Sequence, residues 1–231
     1  MGSKFVTGLN TCRFANNGNT AKMTDDPDLE SAYALETPED NKRLYRNWAE
    51  TYDSDFVEAK GFRFPALVAE SYMNQGGHWP CLDVGCGTGA IAEHFPDDAV
   101  LDGLDISPEM LAVAERKSRY RALFEANLKE PLDLPSGIYA GFVSSGTFTH
   151  GHVGAEALPE LIRVLAPGAL AVHTVKADLW AELGFEETFE VMTGDGLITR
   201  PVTVAEQIYE DGSAPDGHQD DVGLIVSFRR L

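Results

Sequence analysis

Chemistry is most legible where three glycines, Gly85, Gly87 and Gly89, stand at alternate positions with Thr88 between the last two. They follow an apolar run ending in Asp83-Val84 and lead into the amphipathic residues 90–95. A buried strand, a tight turn and the first turn of a helix would produce that order. Backbone N–H groups can approach a ligand closely at such a turn, because glycine carries no Cβ. The spacing departs from the G-x-G-x-x-G of a dinucleotide site, since Ala90 and Ile91 stand where a later glycine would admit a pyrophosphate. A smaller ligand is expected. Asp105 lies twenty residues after Gly85, at the end of the next apolar run, where an acid can accept both hydroxyl protons of a ribose. The competing role for Asp105 is a charge at a helix N-terminus. Asp83 reads as a second acceptor, holding either the glycine turn or a ligand's amino group. His150 is the candidate general base, because imidazole titrates near neutral pH and its loop faces the same site. The competing role for His150 is to pin that loop by hydrogen bonds. With His152 it makes no metal site, since two ligands at i, i+2 are too few.

These residues need elements to position them. Leu44, Trp48 and Tyr52 recur at helical spacing with Tyr45 beside them, while Lys42, Arg43, Arg46 and Glu50 take the other face. A second helical stretch, 62–73, ends at Gln75-Gly76-Gly77. Strands are expected at 80–84, 100–106, 122–126, 141–144 and 169–174, alternating with helices. Ser107 is a helix N-cap with Pro108 at the first helical position. A helix over 155–165 stops at Pro167-Gly168, residues 179–192 are amphipathic, and 202–204 with 224–228 read as a closing antiparallel pair. The pattern is α/β: a Rossmann-like, doubly wound, mostly parallel seven-stranded sheet with an antiparallel last strand. Residues 1–40 are expected to form a disordered extension, 41–78 a helical lid segment, and 79–231 the ligand-binding domain. In such a sheet ligands bind beyond the carboxyl ends of the strands, where the glycine turn, Asp105, Asn127-Leu128 and residues 144–152 converge.

Composition narrows the partners. Thirty-seven acidic against eighteen basic side chains give a net charge of −19, a field that repels nucleic acid and anionic membranes. No run of 18 apolar residues is present, and residues 1–19 carry no apolar signal core, so a cytoplasmic setting is expected. Three cysteines without a C-x-x-C suggest reduced thiols, with neither a disulfide framework nor a zinc site.

The motifs carry a family resemblance. Leu82-Asp83-Val84-Gly85-Cys86-Gly87-Thr88-Gly89 resembles the first motif of class I S-adenosylmethionine-dependent methyltransferases, and Gly103 through Leu111 resembles their second. Trp48-Ala49-Glu50-Thr51-Tyr52-Asp53 is similar to a segment of the ubiquinone-biosynthesis-like, small-molecule branch. Residues 143–152 are most similar to its Williams–Beuren-region methyltransferase-like group. The resemblance implies S-adenosylmethionine as cofactor, with Gly85, Gly87 and Gly89 flanking its methionine part and Asp83 toward its amino group. It implies Asp105 on the ribose, and Ile106 and Met110 on either side of the adenine beyond Ser107. It puts Asn127 and Leu128 near the adenine, with an amide at 127 where the family commonly has an acid. Ser144 and Gly146 would face the methionine, and Trp48 and Tyr52 would close the lid. A small-molecule methyl acceptor is implied too. Two alternatives stay open: an NAD-dependent oxidoreductase, and a cofactor-binding module without turnover. A nucleic-acid methylase fits neither the charge nor the absence of an Asn/Asp-Pro-Pro-aromatic segment after the fourth strand.

Overall fold

The structure, a computed structural model, describes residues 38–149 and 153–231. Its chain order begins with helix α1 (Pro38–Trp48), a π-helical turn (Asp53–Glu58) and helix α2 (Phe64–Asn74). Strand β1 (Cys81–Val84) then enters the glycine turn. Strand β2 (Leu101–Asp105), helix α3 (Pro108–Arg116) and strand β3 (Ala122–Glu125) follow. Strand β4 (Tyr139–Phe148), helix α4 (Leu158–Val164) and strand β5 (Leu165–Lys176) complete the parallel part. Helix α5 (Phe185–Gly194), strand β6 (Val202–Gln207) and strand β7 (Val222–Arg229) end the chain.

The seven strands lie in the order β3-β2-β1-β4-β5-β7-β6. β1 to β5 are mutually parallel, and β7 runs antiparallel between β5 and β6. The chain winds outward from β1 in one direction to β3 and then back through β4 to β5. The switch point therefore falls between β1 and β4, and a ligand crevice opens beyond their carboxyl ends.

Alternation along the strands feeds two cores. Leu82, Val84, Phe142, Ala171, Val226 and Phe228 point to the face covered by α4 and α5, where Leu158, Leu161, Phe185 and Phe189 are buried. Cys81, Val143, Leu170, Val172 and Ile225 point to the other face, covered by Val68, Ala69 and Tyr72 of α2. A third cluster holds the lid: Leu44, Trp48, Phe56 and Phe64 pack with Ile208 and Tyr209. Cys81 and Cys86 are buried free thiols. Among the described residues no helix is long and apolar enough to cross a membrane.

Local chemistry moved several boundaries. The expected helix after the glycine turn is only a 3-10 turn, Ile91–His94. Pro96 disfavours helical dihedrals at Phe95, which is extended (φ −94°, ψ 156°). β4 continues to Phe148, beyond the expected end at Ser144, through a register shift against β5. Gly146 sits in that shift at φ +75°, and its N–H is taken by Thr174 Oγ1 at 3.0 Å. β5 starts at Leu165, and the expected helix stop Pro167-Gly168 occupies an irregularity at its beginning. The helix over 155–165 divides into a 3-10 turn, Ala155–Ala157, and α4. α1 begins at Pro38, slightly ahead of the expected start at Asn41; the expectation for the residues before it lies outside the described residues.

β4 and α2 approach so closely that Gly141 has no room for a side chain. A Cβ there would run into Tyr72 Oη and the carbonyl oxygen of Leu170. Tyr72 is held in place by its bond to the carbonyl of His78, at 2.6 Å. Gly141→Ala should therefore lower unfolding stability by about 1–3 kcal/mol, read as a fall in the urea midpoint; an unchanged midpoint would contradict this packing.

Candidate active site

The carboxyl ends of β1 to β4 enclose a cleft with about 990 Å³ of void, mouth included. Its floor is the glycine turn, from Gly85 to Thr88. Asp105, Ile106 and Met110 form one side, Asn127 and Leu128 another, and Ser145, Gly146 and Thr147 the far edge. Tyr52, Tyr45 and Phe62 from the lid region close it. A second cavity, with about 610 Å³ of void, lies against the first and shares Tyr45, Tyr52, Phe62 and Gly146 with it. Its own wall is aromatic, with Trp48, Phe56, Phe148 and Tyr209.

The three glycines are required for three different reasons. All have positive φ, at +66°, +53° and +87° for Gly85, Gly87 and Gly89. A Cβ on Gly85 would run into Thr147 Oγ1, whose hydroxyl donates to the carbonyl of Val84 at 3.0 Å. One on Gly89 would come 2.9 Å from the Tyr120 ring. Around Gly87 there is open space. Gly87 is thus the position where backbone is left bare toward the cleft.

Two carboxylates flank the turn, Asp83 buried and Asp105 partly exposed. Asp105 accepts the N–H of Gly87 and the N–H of Ser107, each at 2.9 Å. Burial raises its pKa, while those backbone donors work against the rise. Ser107 Oγ in turn accepts the N–H of Met110 at 3.3 Å, the expected N-cap of α3. Asp83 is 1% exposed. Tyr120 donates its hydroxyl to one Asp83 oxygen at 2.6 Å, and the other oxygen has no partner. Burial pushes the Asp83 carboxyl up to about 7; the Tyr120 hydroxyl opposes this and the Asp105 charge adds to it.

The lid is fastened to this floor. Thr88 donates its hydroxyl to Asp53, and Lys117 binds Asp53 and Glu93, both at 2.6 Å. Further pairs run along α1 and the turn after it: Lys42 to Glu125 at 2.9 Å, Arg46 to Glu109 at 2.9 Å, and Glu50 to Arg116 at 2.8 Å. Above them Trp48 and Tyr52 meet edge to face with centroids 5.1 Å apart, and Phe56 lies 5.3 Å from Tyr52.

Of the residues expected to touch the cofactor, Tyr52, Gly85, Gly87, Thr88, Asp105, Ile106, Met110, Asn127, Leu128 and Gly146 line the cleft. Asp83, Gly89, Ser107 and Ser144 stand behind the wall. Ser144 donates to the carbonyl of Val84 at 2.7 Å, and Ser145 takes the position facing the cleft. Trp48 lines the second cavity instead of the first. Asn127 has its amide committed to a turn, accepting from Lys129 N at 3.1 Å and donating to Glu130 at 3.2 Å. His150 and His152 lie outside the described residues. Tyr120, Thr147, Phe62 and the Asp53–Thr88 contact escaped sequence reasoning. Only the Tyr52-Asp53 pairing next to Trp48 hinted at the last of them.

A doubly wound sheet with a bare glycine turn after its first strand and an acid at the end of the next has the layout of the nucleotide-cofactor-binding α/β class. Residues 82–173 match the family model described as a methyltransferase domain. The chain is 32% identical over 175 residues to methyltransferase-like protein 27 of Homo sapiens, covering 69% of this chain and 70% of that protein. It is 36% identical over 202 residues to an uncharacterized methyltransferase of Emericella nidulans, covering 71% and 70%. The fold matches that of the N-methyltransferase NodS from Bradyrhizobium japonicum WM9, solved in complex with S-adenosyl-L-homocysteine. There the TM-score is 0.60 at 15% identity, over 82% of this chain and 97% of that one. The chain belongs to the class I S-adenosylmethionine-dependent methyltransferases, and the oxidoreductase reading is set aside.

Gly87→Ala should cost about 1 kcal/mol for the positive φ yet weaken binding of S-adenosyl-L-homocysteine at least tenfold by calorimetry. Gly85→Ala should instead lower the urea midpoint sharply, because Thr147 must move; equal effects of the two substitutions would refute the division of roles. The raised Asp83 pKa means that the folded state holds this proton more tightly than the unfolded chain. Its stabilisation is full below the ordinary aspartate value of about 4 and is lost as pH rises to about 7. Asp83→Asn should flatten that decline between pH 4 and 7; an unaltered slope would show that Asp83 does not drive it.

Proposed function

We propose that the protein transfers a methyl group to a small organic acceptor lodged in the aromatic cavity, with the first cavity holding S-adenosylmethionine. The observation that carries this reading is the partition. Two cavities of different chemistry meet along Tyr45, Tyr52, Phe62 and Gly146. Group transfer needs its two partners in contact and aligned, and a shared wall is the place for that contact.

The residues present fit the cofactor. Gly87 leaves a cradle that a Cβ would fill, and the second oxygen of Asp83 and the hydroxyl of Ser145 are buried polar atoms without partners. When bound, S-adenosylmethionine supplies a methyl carbon already activated by its sulfonium. The protein's share is to align and to exclude water. In this reading Asp105 keeps acceptor capacity on both oxygens for ribose hydroxyls, while its two backbone donors hold it in place. Ile106, Met110 and Leu128 give the adenine apolar surfaces. Asp83, behind the glycine turn and held by Tyr120, acts on the amino group through its charge. Thr88 acts through Asp53, tying the turn to the lid, so that Tyr52 and Phe62 cover the reacting atoms. The net charge of −19 supports a small molecule over a nucleic acid or an anionic membrane as partner. The free thiols of Cys81 and Cys86 suit a reducing, cytoplasmic setting.

Calorimetry should show S-adenosyl-L-homocysteine binding to the full chain, with NAD giving no heat. Asp105→Ala should weaken that binding at least tenfold while far-UV circular dichroism stays unchanged. Binding of NAD, or wild-type affinity in the variant, would overturn the assignment.

A further inference from the structure

Granted that the first cavity holds the cofactor, Tyr45, Tyr52 and Phe62 close over it and must move aside for it to leave. Ion pairs from Lys42, Arg46, Glu50 and Asp53 tie this lid to the domain below. Asp53–Lys117 is the least exposed of these, at 31% and 22% for the two side chains. It also reaches the cleft. One Asp53 oxygen takes the Lys117 ammonium, and the other accepts the hydroxyl of Thr88, which lines the floor. Moving Tyr52 off the cleft therefore strains the contact made by its neighbour Asp53.

Charge makes that contact conditional. The π-helical turn that starts at Asp53 also carries Asp55 and Glu58 and no base. Asp53 holds Thr88 one residue from Gly87, whose N–H Asp105 already holds, and Asp83 stands behind the same turn. Carboxylates converging on one turn repel one another unless a cation intervenes. The neighbouring cations are committed elsewhere. Arg116 binds both oxygens of Glu50, and Arg119 binds Asp97 and the carbonyls of Ala92, Phe95 and Pro96. Lys129 borders the cleft on the side of Asn127 and Leu128. Lys117 is the cation that meets Asp53, and at 2.6 Å it also holds Glu93 in the 3-10 turn that follows the glycines. Burial opposes its charge, but the two carboxylates outweigh burial and raise its pKa, so it stays an ammonium.

We infer that Lys117 is a positioning residue: shared between Asp53 and Glu93, it keeps the lid shut over the bound cofactor and sets how fast that cofactor leaves. Release is measured as loss of tritiated S-adenosyl-L-homocysteine from the full chain after a chase with unlabelled ligand. A half-buried pair lies between the exposed and buried limits, so Lys117→Met should speed release about tenfold. Lys117→Arg keeps the charge and should stay within about threefold of wild type. Asp53→Asn combined with Lys117→Met should release more slowly than Lys117→Met alone. Of the three charges only the exposed Glu93 then remains, and an amide oxygen can still accept from Thr88. Without ligand, amide hydrogen exchange should quicken over residues 53–58 in Lys117→Met and stay unchanged in β1 and β4. Wild-type release or unmoved exchange in Lys117→Met, equal release from the Arg and Met variants, or a double variant as fast as Lys117→Met would overturn the role of Lys117 and leave the cofactor site intact. Failure of wild-type protein to bind S-adenosyl-L-homocysteine would instead overturn the placing of the cofactor in the first cavity.

Discussion

The carboxylate of Asp105 accepts the N–H of Gly87 with one oxygen and that of Ser107 with the other. It thereby joins the turn after β1 to the start of α3 after β2, and the cleft is the space this joint leaves open. Burying a carboxylate is unfavourable, and its raised pKa records the cost. Backbone donors offset that cost while leaving the acid with acceptor capacity toward the cleft. The lid depends on the same joint at one remove. Its ion pairs to Glu109, Arg116 and Lys117 end in or just after α3, and the one from Lys42 ends on Glu125 of β3, so the lid follows α3 and its neighbouring strand.

Two kinds of force hold the lid, and their sizes differ. Exposed pairs such as Arg46–Glu109 and Glu50–Arg116 contribute about 0–1 kcal/mol each and weaken with salt. Burial of Trp48, Phe56, Phe64 and Tyr209 contributes more, at about 1.5–3 kcal/mol for a fully buried side chain. The ion pairs then act mainly as a register, choosing where along α3 the aromatic face comes down. That register sets which rings face the first cavity and which face the second. Tyr52 and Phe62 border both, whereas Trp48 borders only the second.

Much of this frame was legible from the chain alone. The apolar runs at β1 to β5 alternate with helical patterns, which suffices for a parallel sheet, and the glycine turn with Asp105 locates its crevice. The N-cap Ser107 was readable because capping is a local event. What was hidden depends on contacts across long sequence separations. Thr147 dictates glycine at 85, Tyr120 satisfies Asp83, and Asp53 meets Thr88, none of which leaves a periodic trace. The extension of β4 past Ser144 was hidden for a related reason. It rests on Gly146 finding the Thr174 side chain on the neighbouring strand. The amphipathic pattern after the glycine turn implies a helix, but Pro96, a few residues downstream, holds Phe95 extended and leaves only a 3-10 turn.

The partition between two abutting cavities is the claim on which the rest of the functional account stands. A crystal structure of the full chain with S-adenosyl-L-homocysteine tests it most directly. The ligand should lie across Gly87 with its ribose on Asp105 and its sulfur at the wall formed by Tyr52, Phe62 and Gly146. A ligand seated in the aromatic cavity, or with its sulfur turned away from that wall, would contradict it.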